Sequence, residues 1–385
     1  MQAAPEPLGP RRDEFDVPPG VAYFNTASLC PLTHRVRAAG ADALERRARP
    51  WAIASADWFS DVEMLRGLFA GLIGGDAEGV ALVPATSYGF AAAALNLDLG
   101  EGDRILVLAE EYPSGINTWR AARSKRGVEI VTVERAGGQS WTEAILAALD
   151  ERITVVSVPN VHWTDGALIE LDVVSARAHE LGCTLIIDAS QSAGALPLDV
   201  TRLDPDYLIT VGYKWLLGAF GLSYMYVAER RREGEPLEHN WIARADSQDF
   251  ARLVEYRDEF QPGARRFDMG QASSFHLVPM AIAALEQIGG WGIERISATL
   301  GETTAAIATG AREIGLAPLS ADSRAPHMLG IAQPSGKGDA LVEALARANC
   351  HVALRGGSIR ISPHLHNTPD EVETLIGALE VAIGG

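Results

Sequence analysis

Two apolar runs, Cys183-Thr-Leu-Ile-Ile-Asp188 and Tyr207-Leu-Ile-Thr-Val-Gly-Tyr-Lys214, decide how this chain folds. Each is short and rich in β-branched residues, as expected of a strand buried on both faces of a parallel sheet. Each also leads into a titratable residue. An acid at the end of one such strand and an amine just past the next would face each other across the crevice at the carboxyl edge of the sheet, where α/β proteins hold ligands. Most lysines are solvated surface charges, but Lys214 lies among Tyr213, Trp215, Leu216 and Leu217, a setting foreign to a surface lysine. Partial burial disfavours the ammonium and favours a neutral, nucleophilic amine.

Outward from this pair the pattern alternates. Helical stretches at 56–73, 87–96, 115–126, 142–150 and 172–181 are interleaved with runs such as Ile105-Leu-Val-Leu108, Glu129-Ile-Val-Thr-Val133, Thr154-Val-Val-Ser-Val158 and Tyr224-Met-Tyr-Val227. Such alternation predicts an α/β fold with a mostly parallel central sheet covered on both faces, in three layers. The polar stretch 229–263, broken by Pro236, Pro262 and Gly263, reads as a linker or flap. Helical patterns at 277–289, 291–314 and 338–349, a strand pair near 350–362, and a helix opened by Thr368-Pro369 follow it. The expected organisation is a flexible leader at 1–12, a large ligand-binding α/β unit at 51–239, and a smaller α+β unit built from 13–50 and 240–385.

Composition narrows the function. The formal net charge of -17 argues against nucleic acid or an anionic membrane as partner, since phosphate recognition relies on clustered Lys and Arg. No stretch approaches the roughly 20 uninterrupted apolar residues of a membrane span. Three scattered cysteines, Cys30, Cys183 and Cys350, form neither a disulfide framework nor a CxxC signature, so a reducing cytoplasm is expected. Neither a Gly-x-Gly-x-x-Gly after a strand nor a Walker-type loop is present, which turns the fold away from dinucleotides and ATP.

The segments LIIDASQSAGALPLD (185–199) and TVGYKWLLGAFGLSYMYV (210–227) resemble the class V aminotransferase family of fold-type I enzymes, and the likeness runs from about Tyr23 to about Leu375. That family includes cysteine desulfurases, kynureninases, the isopenicillin-N epimerase group and true transaminases. Pyridoxal 5'-phosphate, the family's cofactor, needs the pair described above: an amine to form a Schiff base with its aldehyde and a carboxylate to keep its ring nitrogen protonated. The spacing of Asp188 and Lys214 also resembles the family's.

The resemblance extends to further positions. Gln191 matches a residue that bonds the cofactor's ring hydroxyl or Schiff-base region. Ala85-Thr86-Ser87-Tyr88-Gly89, where a strand at 80–83 gives way to a helix, becomes the phosphate cradle, with Thr86 and Ser87 as donors; an ordinary helix start uses the same residue types. Tyr213 adds its hydroxyl to the phosphate. Tyr112 takes the position of a ring laid flat on the cofactor. His162 stands at a position that is often Asn and reaches the ring oxygen; it is assigned to the cofactor and catalytic sets, as a residue that bonds the cofactor or moves protons, with packing as the alternative. Arg360, in Gly357-Ser-Ile-Arg-Ile-Ser-Pro, grips the substrate's α-carboxylate, a task that suits a planar fork; Arg355 assists it or holds its loop. Asn25 lines the substrate side. Gly270 and Gln271 match a segment that reaches across a homodimer interface, so that each active site is shared.

His364 and His366, with His351 nearby, raise the question of a metal, but no carboxylate or cysteine set completes a ligand group in sequence, and a structural role near the Thr368 helix start is the expectation. The expected reaction is transamination of a small amino acid through an external aldimine, with Lys214 as the base that moves the α-proton. The short turn Arg355-Gly-Gly-Ser-Ile-Arg360 lacks the acceptor cysteine of a desulfurase. C–S lyases, β-eliminating enzymes and epimerases stay open.

Overall fold

In the computed structural model, which describes residues 5–333 and 338–384, twelve strands and eleven α-helices are present among the described residues. The strands are β1 (Ala22–Tyr23), β2 (Val80–Val83), β3 (Arg104–Leu108), β4 (Glu129–Val133), β5 (Ile153–Pro159), β6 (Thr184–Asp188), β7 (Tyr207–Val211), β8 (Ser223–Val227), β9 (Leu329–Ala332), β10 (Cys350–His351), β11 (Ala353–Arg355) and β12 (Ser358–Ile361). The helices are α1 (His34–Arg47), α2 (Ser60–Leu72), α3 (Thr86–Leu95), α4 (Pro113–Arg126), α5 (Trp141–Ala148), α6 (Leu171–Glu180), α7 (Val200–Leu203), α8 (Leu277–Trp291), α9 (Ile293–Glu313), α10 (Gly338–Arg347) and α11 (Pro369–Gly384).

Seven strands form one sheet in the order β2-β8-β7-β6-β5-β3-β4. Only β8 runs against its neighbours, pairing antiparallel with β2 and β7. Helices cover both faces, so β2, β7 and β8 are buried along their whole length and read in sequence as largely apolar runs. This is the three-layer α/β architecture expected. From β3 the chain first steps outward to β4 and then returns to place β5 on the other side of β3. Such a reversal opens a crevice at the carboxyl ends of the strands.

Two glycines set the walls of that crevice. A Cβ on Gly89 would come within 2.9 Å of Ile209 Cγ2, so its absence lets the start of α3 lie against β7. Gly194 sits at φ +94, and a Cβ there would meet the carbonyl oxygen of Trp215 at 2.4 Å. The loop after β6 is thereby pressed onto the loop that carries Lys214.

A second, three-stranded antiparallel sheet, β11-β12-β9, packs with α9, α10 and α11 around Phe24, Ile307, Leu329, Ile361 and Leu375. β1 pairs with β10, joining the N-terminal segment to this body.

The structure departs from the sequence reading in two places. Residues 8–12 are not a free leader: the Leu8 amide donates to Thr299 Oγ1 at 2.8 Å, the Arg11 amide to the Leu365 carbonyl at 2.6 Å, and Arg12 pairs with Glu371. The first four leader residues lie outside the described residues. α8 packs on α1 and α2, and its Ala281, Ala284, Leu285 and Ile288 share one core with the seven-stranded sheet, rather than with the smaller body assigned to 240–385. No described helix is long and apolar enough to cross a membrane.

Candidate active site

A cavity of about 220 Å³ opens at the crevice, lined from the loops that follow β2, β3, β5, β6 and β7. Asp188, the last residue of β6, projects into it, and its Oδ1 accepts the Ser190 amide at 2.8 Å. Lys214, three residues beyond β7, is 6% exposed, and its Nζ stands 5.4 Å from the centroid of the Tyr112 ring. Burial pulls Lys214 down to about 8, against the opposing pull of Asp188; Arg360 and Arg355 push it further down. Burial raises Asp188, while Ser190 and the Lys214 ammonium act the other way. The acid and amine that the strand ends implied thus line one cavity, close enough for each to shift the other's titration.

Thr86, Ser87, Tyr112, Gln191 and Tyr213 line the same cavity. The residue before α3, Ala85, offers no side-chain cap; the Tyr88 amide turns back to the Ala85 carbonyl at 3.1 Å, while the Thr86 and Ser87 amides, at the cavity, have no acceptor among the described residues. That is an anion site by construction. Tyr213 leans on Phe220, ring centroids 4.7 Å apart.

Arg360, on β12, is 1% exposed. It donates to the Trp163 carbonyl at 2.8 Å and to Ser28 Oγ at 2.7 Å, with Asn25 Oδ1 at 3.4 Å. Arg355 reaches the same Ser28 hydroxyl at 3.3 Å. No carboxylate among the described residues pairs with Arg360, and its Nε has no partner. Burial, with repulsion from Arg355, lowers it to about 9, which still leaves it charged at neutral pH. Trp163 joins this corner to the cavity, because its side chain lines the Lys214 pocket while its carbonyl holds Arg360.

Other expected positions fall elsewhere. His162 does not line the cavity. Its Nε2 lies 3.1 Å from the Ala109 carbonyl, which fixes that nitrogen as the donor, and Nδ1 then accepts from Thr164 Oγ1 at 2.8 Å. The ring stacks on Trp141 at 5.0 Å, and burial keeps it neutral by lowering its pKa. A histidine with both nitrogens engaged and a packed face is a structural one, and the cofactor and catalytic assignments of His162 are corrected accordingly. Gln191 is partly committed: its oxygen accepts the Trp215 indole at 2.9 Å and its amide donates to Ala27 O at 3.2 Å. One amide N–H is left for a ligand. Gly270 and Gln271 line a separate groove that shares only Gly221 with the Lys214 cavity, so one chain does not bring them to the site.

The cavity also holds residues that sequence reasoning passed over. Glu111 and Trp163 line it, and the Tyr112 and Trp163 rings meet edge to face at 5.4 Å. Glu111 stands beside the expected stacking ring, and that adjacency was the available signal. Glu110 and Leu217, neither a glycine, hold left-handed backbone at φ 54 and φ 57 on the loops carrying Tyr112 and Lys214. Strain of this kind gathers at functional sites. Nor does the histidine pair lack a cysteine. The fold brings Cys30 to His364 and His366, while His351 stays out of that group.

Comparison with known proteins agrees with this geometry. The aminotransferase class-V family matches residues 49–375. The chain belongs to that family. A kynureninase of Deinococcus radiodurans is 30% identical over 297 residues, covering 74% of this chain and 70% of the relative. A probable cysteine desulfurase of Methanothermobacter thermautotrophicus is 26% identical, covering 82% of each. Among solved structures, a cysteine desulfurase from Thermococcus onnurineus superposes with a TM-score of 0.87 at 20% identity over 99% of this chain and all of that one. A cystine C–S lyase superposes at 0.84 and 19% over 94% of this chain and 97% of that one. At these identities the structures speak for the fold.

Pyridoxal phosphate is the cofactor of this family member, and the residues fit it. A buried amine, a buried carboxylate, an uncapped helix start and an aromatic ring line one cavity.

Proposed function

We propose that this chain is a pyridoxal-phosphate enzyme that transaminates a small amino acid. The observation that carries the amino-acid part is Arg360: a buried guanidinium with no carboxylate partner, beside a cavity that holds Lys214. An unpaired buried charge is costly, and a substrate α-carboxylate supplies what the protein withholds. A free space of about 220 Å³ leaves room for a small side chain only once the cofactor is in place.

Bound here, the cofactor supplies an aldehyde for covalent attachment and a ring that draws electrons from a substrate's α-carbon. Lys214 Nζ would hold the cofactor covalently and, when free, would serve as the base for the substrate's α-proton. Asp188 would keep a proton on the cofactor's ring nitrogen. Tyr112, steadied edge to face by Trp163, would pack against the ring. The Thr86 and Ser87 amides and hydroxyls, with the Tyr213 hydroxyl, would hold the phosphate. Asn25, Ser28 and Arg355 keep Arg360 aimed at the α-carboxylate.

Transfer of sulfur through an acceptor cysteine fits poorly. The β11–β12 turn at Gly356-Gly357 carries no thiol, and Cys30, Cys183 and Cys350 are all buried. A lyase reading has its own support, in the kynureninase and the C–S lyase among the proteins this chain resembles. The shared homodimer site belongs to the same proposal, supported by Phe220, which lines the cavity and is 72% exposed, and by Trp51 and Tyr256 at 82% and 94%.

The test is product analysis of the purified holoenzyme against a panel of amino acids. Transamination yields keto acid in an amount equal to the cofactor, then stops until a second keto acid is added. Continuous release of ammonia or of a β-substituent without any acceptor makes the enzyme a lyase instead.

A further inference from the structure

Behind the Lys214 loop lies a group that the proposed reaction does not use. Cys30 Sγ and one ring nitrogen from each of His364 and His366 all lie within 4.8 Å of one another, and all three residues are buried. His366 Nε2 stands 2.8 Å from the Tyr23 carbonyl. A carbonyl only accepts, so the hydrogen is on Nε2 and the Nδ1 lone pair is free. That Nδ1 has no partner, and neither does either ring nitrogen of His364. Three unsatisfied ring nitrogens in one buried cluster are a costly arrangement for a packed core, at about 1–3 kcal/mol each.

The arrangement is the one a metal ligand set needs. A histidine that ligates through one nitrogen is ordinarily fixed by a hydrogen bond from the other to a carbonyl, as His366 is by Tyr23. The His364 backbone is held by Asn367 Oδ1 at 3.0 Å, and Phe15 packs edge-on against both imidazoles. A groove of about 690 Å³ whose lining includes His364 and Pro10 offers a way in.

We propose that Cys30, His364 and His366 form a site for one thiophilic d10 cation, Zn²⁺ or Cu⁺. One sulfur and two imidazole nitrogens with no carboxylate suit such an ion and exclude the oxygen-seeking Mg²⁺ and Ca²⁺. Binding replaces the Cys30 S–H bond by a sulfur–metal bond and releases one proton to solvent. With the thiolate and two neutral imidazoles, Cu⁺ makes a neutral cluster and Zn²⁺ leaves one positive charge. The site has a structural reach, because the Cys30 amide donates to the carbonyl of Tyr213 at 3.1 Å, the residue before Lys214. A bound ion would clamp the Cys30 loop beneath the lysine loop.

The test uses the purified holoenzyme. It is incubated with Zn²⁺, or with Cu⁺ under anaerobic reducing conditions, then desalted, and metal is counted per chain. One ion per chain is expected in one arm, falling to near none in Cys30→Ser and in His366→Gln. Loading with Co²⁺ gives a second readout on the unmutated chain: thiolate ligation in a tetrahedral field produces strong visible d–d bands, at longer wavelength than the cofactor absorbs. If the wild type retains no more Zn²⁺ or Cu⁺ than the two variants, and Co²⁺ gives no such bands, the cluster is packing and the proposal fails. Neither outcome depends on which reaction the enzyme performs.

Discussion

Two arginines are almost equally buried, and their surroundings differ. Arg66, 2% exposed at the β2 edge of the large sheet, donates to Asp268 Oδ1 at 2.9 Å and to the Val80 carbonyl at 2.7 Å, with Glu63 at 3.0 Å. Burial alone would depress it, but Asp268 and Glu63 more than reverse this and hold it above the usual arginine value. Arg360, 1% exposed at the cavity end, meets only neutral oxygens, and the nearest charges, Arg355 and Lys214, are like its own. A charge buried for stability is paired within the chain. A charge buried without a partner waits for one from outside, and the contrast separates the scaffold from the site.

Replacing Lys214 with alanine tests the contrast most severely. Activity should fall to background and the absorbance of the covalently held cofactor should vanish, while the chain still folds, since no bond in the scaffold uses Nζ. Survival of that absorbance would remove Lys214 from the site. Arg66→Ala should do the reverse. It leaves Asp268 buried and unpaired, so chemical denaturation should show a loss of about 3–5 kcal/mol, with activity per folded molecule kept.

Arg360→Ala comes next in size. Apparent substrate affinity should weaken by about 2–4 kcal/mol, the cost of leaving the substrate's carboxylate without its partner. Fold stability should change far less than in Arg66→Ala, because removing an unpaired buried cation also removes its desolvation cost. Equal losses of stability in the two variants, with affinity unmoved, would make both arginines scaffold.

The parts of this division that sequence made legible share a physical cause. Strands buried on both faces must be largely apolar, so β3, β7 and β8 announce themselves, and Asp188 and Lys214 stand out as the polar residues where such strands end. α1 was passed over because only Val36, Gly40 and Ala43 are buried on it, too few to write a helical stripe. β9 and β1 are four and two residues long, and only their partners define them. In the site, Glu111, Trp163 and Cys30 owe their importance to what lies across from them in space. His162 misled for the same reason: a polar ring just past a strand can turn into the cavity or away, and the Ala109 carbonyl and Trp141 turned it away.

The smallest effect concerns pH and extends the contrast to carboxylates. Glu63, beside Arg66 and Arg265, is held below the ordinary carboxylate value because those guanidinium groups outweigh its burial. Glu111, in the cavity, is raised to about 8, chiefly by burial, with Asp188 adding repulsion and the Tyr112 amide acting against them. The folded chain therefore keeps a proton on Glu111 that the unfolded chain gives up near its ordinary value of 4.5. More protons bound in the native state means stability that is present below 4.5 and lost as pH rises through 8. Lys214, lowered to about 8, works in the opposite sense above that pH, as the unfolded lysine sheds its proton on the way to 10.5. Because that contribution is common to wild type and variant, comparing Glu111→Gln with wild type isolates the carboxyl. On cofactor-free protein the two denaturation curves should agree near pH 5, and the variant should be the more stable near pH 9, since glutamine carries no charge to desolvate. For Glu63→Gln the sign reverses, with the variant the less stable of its pair above pH 5. Parallel curves for Glu111→Gln and wild type across this range would show that its carboxyl titrates in the ordinary way, and that the cavity is wetter than its burial implies.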